Sequence, residues 1–278
     1  MTRMISSSNI LVGPLRVQIE QHGVSVPLAG NYLLDEDGRR EADVRIQVEF
    51  SSDFAHDCES AAEYPAFACR SLDDFKQALW RADAKGTLAC PSDGPITATF
   101  EGLAKPHTLE AVIRLATSVA LPRKDALILH SSAVEDDEGC HVFSGVSGAG
   151  KSTIAALLEE NFSLRRLSDE LLLLVRNRGK WQLEVAPFTG KVTLPWGAVS
   201  PLRSINFLVQ ASTNDRRLLS PTRAMGELSR HVVTYAHDPL TLGLVLDLVG
   251  DIVESIPCYE LKFRNSPSVA EALNLSCS

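Results

Sequence analysis

Hydrophobic and polar residues alternate through much of the first hundred positions. Leu15, Val17 and Ile19 are separated by Arg16, Gln18 and Glu20, and Val24, Val26 and Leu28 follow a turn expected at His22-Gly23. Val44, Ile46, Val48 and Phe50 alternate with Arg45, Gln47 and Glu49. A period of two gives each strand one buried and one wet face, as in antiparallel sheets. Polar loops at residues 35–40 and 51–59 separate these strands, and no internal repeat is visible.

The pattern changes near Pro106. Leu109, Val112, Ile113, Ala116 and Val119 recur at helical spacing, so the spacing predicts a helix from Thr108. Strands are expected at Ala126–His130 and Cys140–Ser144, with a polar turn at Glu135–Gly139 between them, then a glycine loop and a helix from Ser152 to about Glu160. Ser220-Pro221 and Asp238-Pro239 each set a capping side chain before a proline at the first helical position. Met225, Leu228, Val232 and Tyr235 share a face of the first of these helices, and Leu244, Val245, Leu248, Val249 and Ile252 share one on the second. Cys258–Phe263 reads as a last strand. The strand–loop–helix order predicts α/β architecture. A soft boundary near residue 105 separates a β-rich region, 1–104, from an α/β domain, 105–278.

Composition removes several classes of function. The 278 residues are 45 % hydrophobic and 22 % charged, which excludes a disordered, collagen-like or disulfide-scaffold chain. With 27 Lys+Arg against 35 Asp+Glu the net charge is −8, which argues against a general nucleic-acid partner and leaves only a local basic groove open. No apolar run reaches the roughly 20 residues that span a bilayer. The longest candidate, Leu240 to Val253, is interrupted by Asp247 and Asp251, and Met1 to Ile10 lacks a secretory apolar core, so no membrane partner is expected. Cys58, Cys69, Cys90, Cys140, Cys258 and Cys277 include no C-x-x-C pair. Zinc is therefore not expected, and reduced thiols in a cytoplasmic setting are the natural reading.

The chemistry is concentrated at Gly145-Val146-Ser147-Gly148-Ala149-Gly150-Lys151-Ser152, which fits G-x-x-x-x-G-K-[ST] without mismatch. Glycines let the backbone wrap phosphate oxygens with its N–H groups pointing inward. The following helix adds its positive end. Lys151 is placed to reach the β- and γ-phosphates, and the Ser152 hydroxyl to ligate Mg²⁺. The loop, with Gly148 and Thr153, also looks like that of transporter-type ATPases. Their Leu-Ser-Gly-Gly-Gln signature is absent, however, and Asp169-Glu170 follows Lys151 too closely for them.

Leu129-His130-Ser131-Ser132-Ala133-Val134, then the loop 145–153, then Leu167-Ser168-Asp169-Glu170-Leu171 occur in that order. This arrangement resembles the HPr kinase/phosphorylase family, and more distantly the ATP-dependent phosphoenolpyruvate carboxykinases. The resemblance covers roughly residues 105 to 275 and is strongest from 129 to 172. It implies a P-loop core of the carboxykinase/HPr-kinase type with the β-rich region attached. It also implies that ATP is bound by Gly145–Thr153, with Thr153 toward the α-phosphate side, and that Mg²⁺ or Mn²⁺ is held by Ser152 and Asp169. His130 matches the family's active-site His and Asp169 its second acidic position. Ser168 stands where the family has the first Asp, a departure that Glu170 partly offsets. Leu183 to Phe188 resembles the segment that supplies a second metal carboxylate, which makes Glu184 its candidate. Arg203 is the candidate clamp on the transferred phosphoryl group, with Lys191, Arg216 and Arg217 weaker ones.

The residues themselves leave alternatives. Asp169 is a catalytic carboxylate or a solvated turn residue, and His130 is catalytic or a satisfied strand-end histidine. Glu184 is a metal ligand or a wet edge-strand Glu, and Arg203 a clamp or a surface Arg. No Ser-His-Asp order or G-x-S-x-G supports a hydrolase. The expected activity is transfer of phosphoryl from ATP to a Ser or Thr hydroxyl of a protein or peptide, with the β-rich region as an acceptor-docking module. A kinase for an amino acid or metabolite, and a nucleotide-binding module without transfer, remain alternatives. The family likeness favours a homo-oligomer.

Overall fold

The computed structural model describes residues 5–28, 32–35, 40–54, 67–188 and 198–275. Lys191, Cys58 and Cys277 lie outside the described residues. The chain divides into two compact units: Met1–Lys124 with Pro187–Thr189 and Thr234–Leu244, and Asp125–Ala186 with Gly190–Val233 and Val245–Ser278. The division therefore falls after Lys124 rather than near residue 105.

In the first unit the strands are β1 (Ile5–Val12), β2 (Leu15–Gly23), β3 (Leu33–Leu34), β4 (Val44–Ser51), β5 (Ala68–Ser71), β6 (Lys76–Arg81), β7 (Ala84–Ala89) and β8 (Ile96–Leu103). They form one sheet in the order β3-β1-β2-β4-β8-β7-β6-β5. The alternation seen in the sequence is realised on β4, where Val44, Ile46, Val48 and Phe50 are buried and the residues between them exposed. The sheet is mixed rather than antiparallel, because β4 runs parallel to both β2 and β8. Val24 to Leu28 is not a strand; β2 instead runs through the expected turn to Gly23. Helix α1 (Pro106–Ala120) packs on β4 and β8, so it belongs with this sheet. A 3₁₀ turn at Leu121–Lys124 closes the unit.

The second unit contains β9 (Ala126–Asp136), β10 (Gly139–Ser144), α2 (Lys151–Phe162), β11 (Arg165–Ser168), β12 (Leu171–Asn177), β13 (Lys180–Val185), β14 (Val199–Gln210), β15 (Asp215–Leu218), α3 (Pro221–His231), β16 (Val232–Val233), most of α4 (Pro239–Ser255), β17 (Cys258–Phe263) and α5 (Val269–Leu273). Its sheet runs β10-β9-β12-β13-β14-β17-β15, and β10 also pairs with β14, so five strands close on themselves. β14 runs parallel to both β10 and β17, which makes this sheet mixed as well.

Successive residues of β10 serve opposite cores. Val142 joins the cluster under α3 and α4, formed with Leu129, Ile205, Leu228 and Val249. Phe143 joins the one under α2 and α5, formed with Ile154, Leu158, Leu208 and Leu273. Helices thus cover both faces of a mixed sheet, an α/β arrangement. Asp238 caps α4 through its Oδ1, which accepts from Thr241 N at 2.8 Å. Ser220 makes no such cap hydrogen bond. Helix α3 ends at His231, so Val232 leaves the helical face for β16 and Tyr235 lies beyond it. Among the described residues, no helix is long and apolar enough to cross a membrane.

Candidate functional site

The glycine loop joins the C-terminal end of β10 to the start of α2. Gly148 and Gly150 take φ values of +78° and +101°, a region that L side chains enter only at a cost. A Cβ at Gly150 would also stand 3.0 Å from the Phe263 ring. Lys151 folds back over the loop, and its Nζ donates to Gly145 O at 2.9 Å and Val146 O at 3.3 Å. Burial pushes its ammonium below the ordinary lysine value. Two side chains brace the loop: Ser132 Oγ donates to Lys151 O at 2.7 Å, and Gln210 Nε2 to Gly148 O at 2.7 Å. Ser152 and Thr153 are exposed on the first turn of α2. The turn therefore gathers loop amides, a helix N-terminus, the Lys151 ammonium and the Ser152 and Thr153 hydroxyls.

Asp169 is brought to this turn. It sits between β11 and β12, where its main-chain oxygen accepts from Ser152 Oγ at 3.4 Å. Ser168 shapes the bend by donating to Leu171 O at 2.8 Å while accepting from Glu170 N at 3.4 Å. A carboxylate at that position has no proton to donate to Leu171. His130 pairs with Leu171 in the β9–β12 ladder, and Glu170 O accepts from Ser131 N at 3.0 Å, so His130 adjoins the acidic turn. Glu184 stands mid-sheet on β13, paired with Leu173 and Val199, and no hydrogen bond joins it to Ser152 or Asp169. Burial pushes its carboxyl above the usual value. Ser152 and Asp169 together supply hard oxygen donors, and so small a protein set suits a divalent ion that keeps several waters. Among the described residues, no cluster of three or more His, Cys, Asp or Glu marks a metal site. The four described cysteines are free.

Arg203 is not brought to the loop. Cys140 pairs with Leu202 at the start of β10, whereas Ser144 at the loop pairs with Phe207. At about 3.3 Å of rise per residue, Arg203 lies more than ~10 Å back along the sheet. There it pairs with Asp136 at 3.3 Å and Glu138 at 2.6 Å in the β9–β10 turn. Arg216 is engaged elsewhere too: its Nε donates to Asn206 Oδ1 at 2.8 Å, and its guanidinium lies 3.6 Å over the Tyr259 ring. Arg217 is exposed on β15. These contacts belong to a buried polar chain, in which Asp136 is 3.2 Å from His141 Nε2, His141 Nδ1 is 2.8 Å from Ser204 Oγ, and Asn206 Nδ2 donates to Ser204 Oγ at 3.1 Å. Ser204 is 2 % exposed, so the chain has the composition of a hydrolytic triad without a surface to work on.

What does face the loop is α3. A cavity of about 470 Å³ is bounded by Gly145–Ala149 and by Phe207, Arg223, Glu227, His231 and Glu260. It opens at the carboxyl ends of the parallel strands β10 and β14, the usual place for ligands in such sheets. Arg223 pairs with Glu260 at 2.7 Å. Sequence reasoning does not single out the three α3 residues, although their spacing of four marks a polar stripe that flanks Leu228.

With this geometry established, comparison with known proteins adds little. The chain is similar to the structure of the Hpr(Ser) kinase/phosphatase from Coxiella burnetii, with 12 % identity, over 53 % of this chain and 93 % of that one, at a TM-score of 0.32. The likeness is structural and weak. No protein-family profile matches the chain, and no curated protein does.

Proposed function

We propose that the chain is an ATP-dependent phosphotransferase of the HPr-kinase-like class, passing a phosphoryl group to a Ser or Thr hydroxyl of a protein or peptide with Mg²⁺ or Mn²⁺. The observation that carries this reading is the glycine loop at the end of β10, with Lys151 folded over it and Asp169 beside Ser152. Loop amides and the N-terminus of α2 bind the phosphates. Lys151 exchanges the Gly145 and Val146 carbonyls for phosphate oxygens, a charge-assisted contact. Ser152 and Asp169 hold the metal, which offsets charge on the transferring group. In this reading the Asp169 carboxylate also takes the acceptor's proton. The first unit serves as acceptor-docking module in a cytoplasmic protein, which homo-oligomerises.

A nucleotide-binding module without transfer is the second reading. Ser168, in place of a first carboxylate and tied into the turn by Leu171 O, favours it. A free amino acid or metabolite as acceptor would use the same loop, since the acceptor is chosen by surfaces outside it. The test gives purified protein γ-labelled ATP and Mg²⁺ with a Ser/Thr peptide library or with free serine. Label in peptide, absent without metal, supports the proposal. Label in serine alone redirects it to a small acceptor. ATP bound but never cleaved supports the second reading.

A further inference from the structure

We propose that His231 is a phosphate-contacting residue of the loop site and that a nucleoside polyphosphate binding there carries a proton onto its imidazole. The inference rests on the preceding reading only in taking the loop to be occupied by phosphate.

The placement is geometric. His231 ends α3 and lines the loop cavity with Gly145–Ala149. The next residue, Val232, pairs with Leu129 on β9, so His231 stands level with His130 on the side of β9 away from β12 and the acidic turn. Its ring lies nearly parallel to that of buried Phe207, with centroids 6.1 Å apart and planes at 23°. That stacking limits ring rotation and leaves the ring edge as the polar part.

The charges around the ring decide its protonation. Glu227 and Arg230 lie on its own helix and pair with each other at 3.1 Å. Arg223, on the same helix, pairs with Glu260 of β17 at 2.7 Å. His130 is its level neighbour on β9. Lys151 faces it from α2, where its Nζ donates to the Gly145 and Val146 carbonyls. Burial first, then Lys151, hold the imidazole below its ordinary value against the pull of Glu227, and so favour the neutral ring. A polyphosphate on the loop sets several negative charges beside Lys151 and reverses that field. The imidazolium is then favoured, and its N–H donates a charge-assisted hydrogen bond to phosphate. By linkage, affinity rises as pH falls, about tenfold for each unit by which binding raises the His231 pKa.

The experiment is calorimetric titration of the full chain with Mg·ATP between pH 5.5 and 8.0, in buffers of different ionisation enthalpy, for wild type and His231→Gln. Titration of the nucleotide itself is common to both proteins and cancels in the difference. The expected result is extra proton uptake by wild type and a Kd at least about fivefold tighter at pH 5.5 than at pH 8.0, with both differences absent in His231→Gln. ATP binding by both proteins with equal proton uptake overturns the inference and leaves the loop assignment standing. Binding by neither protein at any pH overturns both. Should His231→Gln fail to fold, the ring-carbon NMR shifts of His231 in wild type decide alone: a pKa that rises on ATP addition supports the inference, and an unmoved one overturns it.

Discussion

Replacing His141 by Leu removes the middle of the buried chain that runs from Asp136 to Arg216. With the His141 Nε2 proton turned to the Asp136 carboxylate, a neutral ring leaves Nδ1 to accept from the Ser204 hydroxyl at 2.8 Å, and Ser204 in turn accepts from Asn206 at 3.1 Å. With Leu at 141, Ser204 keeps the Asn206 donor, but its own proton has no acceptor in a site 2 % exposed. An orphaned buried group costs about 1–3 kcal/mol. Asp136 loses one partner but keeps the amides of Glu138 and Gly139 and the Arg203 pair, so the added loss there is smaller. The expected total is about 2–3 kcal/mol. Ser204→Ala alone should cost about 1 kcal/mol, and the double variant should lose about 1 kcal/mol less than the sum, because no orphan remains. Hydrogen exchange of β10 and β14 amides reads this unit locally. Strict additivity, or a His141→Leu loss under about 0.5 kcal/mol, would refute the reasoning. The pH dependence has a fixed sign. Burial, against the pull of Asp136, lowers the His141 pKa in the folded state. The unfolded chain therefore takes the proton first, so this contribution is full above the ordinary histidine value and is lost as pH falls toward the folded value. His141→Leu should abolish that part of the acid decline.

Gly150→Ala forces a side chain to φ +101° against the Phe263 ring, which should cost about 1–2 kcal/mol and weaken ATP binding at least tenfold; an unchanged melting temperature and affinity would contradict it. Arg203→Ala breaks partly exposed pairs with Asp136 and Glu138, so stability should fall by about 1 kcal/mol or less with single-turnover transfer within twofold; a hundredfold loss would return Arg203 to the reaction. Asp169→Asn should lower transfer by about 10²–10⁴ while ATP still binds, and Glu184→Gln should cost less. A near-native Asp169→Asn beside a dead Glu184→Gln would move the working carboxylate to β13.

The local elements were the readable part of this chain. Period-two stretches such as Val44–Phe50 and the loop's own residue types depend on near neighbours, and they emerged as β4 and as the β10–α2 turn. Long-range pairing was not readable. The alternation of β2, β4 and β8 points toward antiparallel pairing, because parallel strands are usually covered on both faces; here a parallel trio carries the half-buried pattern. Arg203 lies away from the loop because its place is set by the β10–β14 register, which no local pattern encodes. The same register brings His141 and Ser204 together, a pairing that chain order hides. Arg223, Glu227 and His231 were within reach, since a polar stripe at spacing four on a helix that starts at Ser220-Pro221 is visible in sequence. What the stripe faces is fixed only by the packing of α3.

The most direct test of the central claim is equilibrium binding of Mg·ATP to wild type and to Lys151→Ala at neutral pH, with amide exchange run in parallel to verify the fold. A charge-assisted contact to phosphate is worth about 1.5–3 kcal/mol. The account predicts saturable binding by wild type and an affinity at least tenfold weaker in Lys151→Ala, with exchange in β10 and β14 unchanged. Equal affinity in the two proteins, or no binding by wild type, would contradict it.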